Sequence, residues 1–404
     1  MEILDALGAT AQPADRFLRD WFRKRRYAGS KDRAAIAERV FAILRHRYSL
    51  AWRMGGGDPR RLVIASLLAE GEDAEALFDG SDYGPAPLDE VERQAIAAPP
   101  AGKPPPHVKG EYPPFLEPEL TRAFGAQVLE EMQTLQERAP VDLRANMLKT
   151  TREDLAAALR AEGFAVEETR HSPWGLRLPS GEGLSKLSAT ALFTEGAFEF
   201  QDEAAQIAAL LCAAKPGMRV LDMAAGAGGK SLALAAAMQN QGEITAADSD
   251  PVRLAQLGPR AARAGAAIIK SESQEGAFDL VLVDSPCSGT GTWRRQPELR
   301  WRLTPERLAE LTALQDELLS QAAGSVAPGG RLVYATCSLL PCENEDRIAH
   351  FLRDNPDFEV VPAAGVWQEA AGTEPPPGLD AYFCASPLRT GTDGFFTAVL
   401  QRAR

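Results

Sequence analysis

Two cysteines sit in settings unlike those of ordinary core residues. Cys287 lies within Asp284-Ser285-Pro286-Cys287-Ser288-Gly289-Thr290-Gly291-Thr292, and Cys337 within Tyr334-Ala335-Thr336-Cys337-Ser338. Each follows a segment that reads as a strand. A lone buried cysteine usually packs as a small apolar residue, and Cys212 is read that way. A cysteine in a polar, turn-rich loop suits covalent chemistry, because the thiolate attacks well near neutral pH and can leave again. Upstream lies a glycine-rich turn, Asp222-Met223-Ala224-Ala225-Gly226-Ala227-Gly228-Gly229-Lys230-Ser231. Glycine there lets the backbone approach a ligand closely, at the start of a helix whose N–H groups can hold it. Asp248 ends the next strand, where an acid accepts hydrogen bonds from ribose hydroxyls. The combination points to covalent chemistry beside a nucleoside-bearing cofactor.

Two other chemistries compete for these residues. Gly229-Lys230-Ser231 looks like the end of a phosphate-binding P-loop, with Leu280-Val281-Leu282-Val283-Asp284 as its partner strand. That pattern requires glycine five residues before Gly229, and Ala224 stands there. An NTPase also has no use for two strand-end cysteines. A zinc site fares no better. His46, His107, His171 and His350 are scattered, there is no Cys-x-x-Cys pair, and Cys337 and Cys342 are poorly spaced as ligands. No metal is expected.

The elements that must position these residues follow from periodicity. From about residue 203, helix and strand patterns alternate. Strands read at 218–223, 243–247, 266–270, 279–284, 330–336 and 394–401, and helices at 229–240, 251–264, 304–324 and 343–354. This predicts an α/β fold with a parallel, doubly wound sheet over 201–404. Ligands in such sheets bind at the carboxyl ends of the strands, where the glycine turn, Asp248, Asp284, Cys287 and Cys337 all fall. Residues 1–80 read as all-helical. Residues 81–140 hold a proline-rich strap, with eight prolines between 97 and 118, and then a helix running to Arg138. Residues 141–200 read as a small α+β unit.

Hydrophobic (45%) and charged (25%) fractions are those of a globular protein, and no apolar run approaches the length of a membrane span. The N-terminus lacks the pattern of a secretory signal. Five cysteines make no disulfide framework, which favours a reducing cytoplasm. The net charge of −12 is unevenly distributed: residues 16–61 carry +10 and the remainder −22. Arg23, Lys24, Arg25, Arg26, Lys31 and Arg33, with Trp21, Tyr27, Tyr48 and Trp52 interleaved, favour contact with nucleic acid. A solvated basic helix face is the plainer reading.

Residues 141–401 resemble the Nop/Sun (NSUN) family of RNA cytosine-5 methyltransferases. The resemblance rests on Leu221 to Lys230, Asp284 to Thr292, Pro297-Glu298-Leu299-Arg300-Trp301, and Thr336-Cys337-Ser338 with Glu343-Asn344-Glu345. Leu143-Arg144-Ala145-Asn146 is similar to the family's pre-catalytic segment. The helical N-terminus, with Gly29-Ser30-Lys31-Asp32-Arg33-Ala34, resembles the NusB-like domain of the bacterial RsmB-like type. The resemblance implies a Rossmann-like S-adenosylmethionine-dependent methyltransferase sheet acting on RNA, with ribosomal RNA as substrate.

It also implies roles. Carbon 5 of cytosine is a poor nucleophile until a thiolate adds at carbon 6. Cys337 is implied as that nucleophile and Cys287 as the residue assisting release; DNA cytosine methyltransferases resemble the opposite assignment. Asp284 is implied to bond the base, and Lys230 to pair with Asp284 or orient the base. Ala224, Ala225, Gly226, Ala227, Gly228, Gly229 and Lys230 are implied to hold the methionine part of the cofactor, and Asp248 its ribose. Arg253 is a candidate near the adenosine, a surface arginine being the plain alternative. Arg294, Arg295, Arg300 and Arg302 follow the Cys287 loop and are placed to hold RNA phosphates or stack a base; a solvated charge run is the alternative. Two departures stand out. Ala227 replaces a proline before the glycine pair. The region after the third strand is compressed to Ile268-Ile269-Lys270-Ser271-Glu272-Ser273, where Ser271 or Glu272 would replace an acidic adenine contact. A cytoplasmic monomer is expected, with no membrane association. A non-catalytic RNA-binding or assembly factor, and a DNA cytosine methyltransferase, are the competing functions. Cofactor binding tests the first, and methyl transfer to duplex DNA the second.

Overall fold

The computed structural model describes the chain except for Arg26, Tyr83 and residues 179–183 and 272–275. It divides into two compact units. One comprises Met1–Glu137 together with Trp293–Leu303, the other Arg138–Thr292 together with Thr304–Arg404.

The first unit is helical. Its longer helices are Ala14–Arg23, Ser30–Arg45, Arg47–Met54, Pro59–Ala69 and Glu90–Ala97. Local chemistry sets their ends. Gly55, at φ +63°, stops the Arg47–Met54 helix, and Asp58 caps the next by accepting from the Arg61 amide, with Pro59 in the first turn. Apolar side chains at helical spacing meet in two clusters. Leu7, Leu18, Phe22, Val40 and Leu44 form one; Ile43, Leu50, Met54, Leu62, Ile64 and Phe78 are in the other. The proline-rich stretch is not merely a strap, because it folds into the short helix Pro106–Gly110 and buries Val108, Tyr112 and Leu116. The expected helix to Arg138 is interrupted at Gly125, whose φ of +56° ends Glu117–Phe124 before Val128–Thr134 begins.

Trp293–Leu303 reads in sequence as part of the methyltransferase domain, yet it packs within the helical unit. The helix Ala14–Arg23 has no cap of its own, and Glu298 Oε1 accepts its Ala14 amide at 2.9 Å. Arg302 donates to the carbonyls of Leu7, Ala11 and Gln12 around the end of the preceding helix. An acid at a helix N-terminus and a base at a C-terminus satisfy unpaired backbone groups and complement the macrodipole. Trp301 Nε1 donates to Leu44 O at 2.7 Å. Arg300 is fully buried and donates to Arg45 O and Leu135 O, and burial pushes its guanidinium down to about 10. Arg300→Ala should leave buried carbonyls unpaired and lower stability by about 2–4 kcal/mol. Urea unfolding of the full chain checks this, and an unchanged midpoint would refute the structural role.

The second unit holds two sheets. The smaller is antiparallel, in the order β2-β3-β1-β4: β1 (Val141–Ala145), β2 (Glu167–Glu168), β3 (Gly175–Leu178) and β4 (Phe198–Phe200). Helix Arg152–Ala161 covers it through Leu155, Ala156 and Leu159. The larger runs β10-β12-β9-β8-β5-β6-β7, with β11 paired to β12. Its strands are β5 (Arg219–Asp222), β6 (Glu243–Ala246), β7 (Ile269–Lys270), β8 (Phe278–Asp284), β9 (Val326–Thr336), β10 (Phe358–Val361), β11 (Phe383–Ala385) and β12 (Phe395–Arg402). β5 to β9 are parallel. Alternate residues face opposite buried layers, Val220, Leu280, Leu282 and Val333 on one side and Leu221, Val281, Val283 and Leu332 on the other. Burial on both faces gives the unbroken apolar runs of the sequence. The last strand departs from the parallel expectation: β12 is antiparallel to β9, because the chain reaches it from the antiparallel β11 instead of through a helical crossover. Among the described residues no helix is long and apolar enough to cross a membrane.

Candidate active site

The carboxyl ends of β5, β6, β8 and β9 carry the site. After β5 the chain turns through residues 223–228 into helix Gly229–Ala237. Gly226 (φ +55°) and Gly228 (φ +85°) lie in the left-handed region. A Cβ on Gly228 would stand 2.0 Å from Leu257 Cδ1, so this turn closes only with glycine. The helix has no side-chain cap, so its first amides remain open to a ligand. Asp248, just beyond β6, accepts from the Gly226 amide at 2.7 Å through Oδ2 and from the Asp250 amide at 2.7 Å through Oδ1. These bonds lock the turn to the second strand, and each oxygen keeps a lone pair for a ribose hydroxyl. Arg253 is exposed, with its guanidinium over Gly226, and Ser271 is exposed beyond β7. Glu272 lies outside the described residues. Ala224 to Gly229 form the cradle itself, and the turn suits the carboxylate end of an aminoacyl cofactor.

Gly228→Ala should weaken cofactor affinity at least tenfold, since it combines backbone strain of about 1–2 kcal/mol with the Leu257 clash. Calorimetric titration with S-adenosylhomocysteine reads this, and wild-type affinity would refute it.

Beneath the turn, Asp222 is fully buried and accepts the Ser231 hydroxyl at 2.6 Å through Oδ2. Burial pushes its carboxyl up to about 7; the Ser231 bond opposes this and the charge of Asp284 reinforces it. The folded protein therefore keeps this proton to higher pH than the unfolded chain, where aspartate titrates near ~4. Its cost is absent below about pH 4 and complete above about pH 7. Asp222→Asn should gain stability relative to wild type as pH rises from 5 to 8, and parallel melting curves would refute it.

Lys230 reaches across to Asp284 at the end of β8, with Nζ–Oδ2 at 2.6 Å and the ammonium 4.9 Å from the Phe395 ring centroid. Asp284 pairs in register with Ala335 of β9, so the loops after β8 and β9 emerge side by side. Cys287 and Cys337 face each other with sulfurs 3.4 Å apart. The bond to Cys337, with burial and then the charges of Cys337 and Glu343, raises the Cys287 thiol well above its ordinary range. The contact leaves either sulfur able to donate to the other. The two loops interlock: the Gly291 amide donates to Cys337 O at 2.9 Å and the Leu339 amide to Thr290 Oγ1 at 2.8 Å. The Gly394 amide donates to Gly291 O at 2.9 Å, an approach that a Cβ on either glycine would block.

Several residues support the site through contacts that the sequence does not reveal. Arg144 of β1 is buried and donates to Gly229 O at 2.7 Å and to Gln201 Oε1. Arg260 donates to Ala227 O at 2.7 Å and pairs with Glu199 of β4 at 2.8 Å. The small sheet thus braces the cofactor turn. Glu343, fully buried, bonds to Ser288 and Ser338. The Arg144 and Glu343 motifs were visible, but their contacts were not.

The basic candidates gather in the helical unit. Arg23 pairs with Asp20 at 3.0 Å, Arg25 lies 3.5 Å over the Trp21 ring, and Arg33 donates to Ala28 O. Lys24 and Lys31 are exposed, as is Tyr27 at 87%; Arg26 lies outside the described residues. Arg294 is buried and Arg295 half-buried. The expectation that Arg300 and Arg302 face RNA is corrected, since their guanidinium groups serve backbone carbonyls.

A mostly parallel sheet with a glycine turn after one strand and an acid after the next defines a Rossmann-like nucleoside-cofactor fold, and likeness to known proteins assigns it to the S-adenosylmethionine-dependent methyltransferase class. The family model described as 16S rRNA methyltransferase RsmB/F matches residues 209–401, and an RsmF/B-like ferredoxin-like domain matches 112–183. The probable ribosomal RNA small subunit methyltransferase B of Bacillus subtilis is 30% identical over 383 residues, 92% of this chain and 78% of that one. The corresponding protein of Synechocystis is 34% identical over 303 residues, 72% of this chain and 67% of that one. The crystal structure of PH0851 superposes with a TM-score of 0.78 at 27% identity, covering 98% of this chain and 96% of that one. A methyltransferase homolog protein from Pyrococcus horikoshii gives 0.62 at 27% identity, covering 74% and 97%. The chain belongs to the RsmB/F family of S-adenosylmethionine-dependent RNA cytosine-5 methyltransferases.

Proposed function

We propose that this chain methylates carbon 5 of a cytosine in 16S ribosomal RNA through a covalent bond between Cys337 and carbon 6. The observation that carries the reading is the facing pair Cys287–Cys337, set on adjacent strand ends beside the Lys230–Asp284 pair. Bound S-adenosylmethionine supplies the electrophilic methyl group. Cys337 attacks carbon 6 as thiolate and makes carbon 5 nucleophilic. Lys230 holds one oxygen of Asp284, leaving the other to meet the amino edge or ring nitrogen of the base. After transfer, solvent water takes the proton from carbon 5, the C–H electron pair re-forms the 5,6 double bond, and the carbon 6–sulfur bond breaks so that Cys337 leaves as thiolate. The Cys287 thiol, already within reach, donates to the departing sulfur. A base in a folded RNA must leave its stack to enter such a pocket, and the basic surface around Lys24, Arg25 and Lys31 holds the RNA. We place the reaction in a monomer. The free cysteines suit a reducing cytoplasm.

The test is transfer of labelled methyl from S-adenosylmethionine to transcribed 16S rRNA and to small-subunit particles. Label on cytosine carbon 5 is expected. Transfer to duplex DNA and not RNA would overturn the substrate, and absent cofactor binding would overturn catalysis.

A further inference from the structure

Glu343 carries a buried charge that none of the steps above uses. Its Oε1 accepts from the Ser288 amide at 2.8 Å and from Gln315 Nε2 at 3.0 Å. Its Oε2 accepts the Ser288 hydroxyl at 2.5 Å and the Ser338 hydroxyl. Four neutral donors on two oxygens are what an ionised carboxylate requires, and among the described residues no Lys or Arg pairs with it. Burying a charge without a counter-ion is costly, so the arrangement does more than fill space.

The donors are informative. Ser288 directly follows Cys287, and Ser338 directly follows Cys337. Gln315 also donates to Pro286 O at 3.0 Å, on the other side of Cys287. The carboxylate carrier is itself anchored, since Tyr334 of β9 donates its hydroxyl to Glu343 O at 2.7 Å. Asn344, the next residue, accepts from Thr336 Oγ1 at 2.6 Å and donates to Ser338 O at 3.0 Å, bracketing Cys337. One buried side chain thus holds the residues adjoining both cysteines, which lie fifty positions apart in the chain.

We propose that Glu343 is a positioning residue that holds the Cys287 and Cys337 loops in register, so that the two sulfurs stay within bonding reach. This rests on the reading that these cysteines are the reacting pair. Hydrogen-bond geometry separates its shape from its charge. In Glu343→Gln, the amide oxygen can keep the Ser288 amide and Gln315, and its NH2 faces two hydroxyls that can rotate to accept. Glu343→Ala removes the clamp altogether.

Phenylarsine oxide bridges only closely spaced thiols, and mass mapping of peptides containing Cys287 and Cys337 reads the bridge without RNA. Wild type and Glu343→Gln should bridge. Glu343→Ala should bridge at least tenfold more slowly, with S-adenosylhomocysteine affinity kept. Its kcat should fall on the order of 10²-fold, as for a reacting group displaced by about 1 Å, with KM for the cofactor little changed. Bridging of Glu343→Ala at the wild-type rate overturns the proposal, as does a Glu343→Gln defect equal to that of Ala. Should Glu343→Ala fail to fold, Ser338→Ala removes one donor and must show the same slowing in smaller degree. Bridging is independent of methylation, so failure to methylate 16S rRNA leaves this test standing.

Discussion

Cys337→Ala is expected to abolish methyl transfer, with a loss on the order of 10⁴–10⁶-fold in single-turnover rate, the scale seen when a covalent nucleophile is removed. Without addition at carbon 6, carbon 5 has too little electron density to attack a methyl sulfonium, and positioning alone cannot replace that activation. The half-buried sulfur only borders the main core, so the melting temperature should stay near wild type. Cofactor affinity should also persist, because the turn after β5 is built without Cys337. No RNA–protein complex should survive denaturing electrophoresis. Retained methylation with intact folding would sink the assignment of the nucleophile.

Cys287→Ala should show the opposite phenotype: a stable RNA–protein adduct and turnover slowed by roughly 10²–10⁴-fold, the range for losing a positioned proton donor or acceptor. The Cys287 sulfur lies 3.4 Å from that of Cys337, and in the proposed mechanism its thiol stabilises the sulfur as it leaves. Without it, addition and methylation still proceed, and release stalls. The adduct should disappear in the Cys287→Ala, Cys337→Ala double variant. Normal turnover by Cys287→Ala, or an adduct that forms through Cys287 in the Cys337 variant, would reverse the division of roles.

Much of the site is legible along the chain because its parts are local. A strand, a tight turn and a helix start within about a dozen residues force glycine at 226 and 228, and unbroken apolar runs mark β5, β8 and β9 before any contact is known. Strand-end chemistry then places Asp248, Asp284, Cys287 and Cys337 on one edge, as the structure does. The direction of β12 was not legible, because a continuous buried run reads alike in either orientation.

What only the tertiary structure decided are partnerships across long stretches of chain. Arg300 and Arg302 look like phosphate ligands from charge alone, yet Arg302 meets the end of a helix almost three hundred residues away and Arg300 meets carbonyls 255 and 165 residues away. The proline-rich stretch looks extended, yet Tyr112 and Leu116 reach a core that the distant helices create. Arg144 and Glu343 stand in visible motifs, but their tasks depend on Gly229, Ser288 and Ser338, which only the folded sheets bring to them. The chain by itself marked the candidate groups, because residue type and local spacing set the glycine turn and the strand-end loops that carry Cys287 and Cys337. Folding decided which charges are spent inside, since a charged side chain's role depends on the donors and acceptors that surround it.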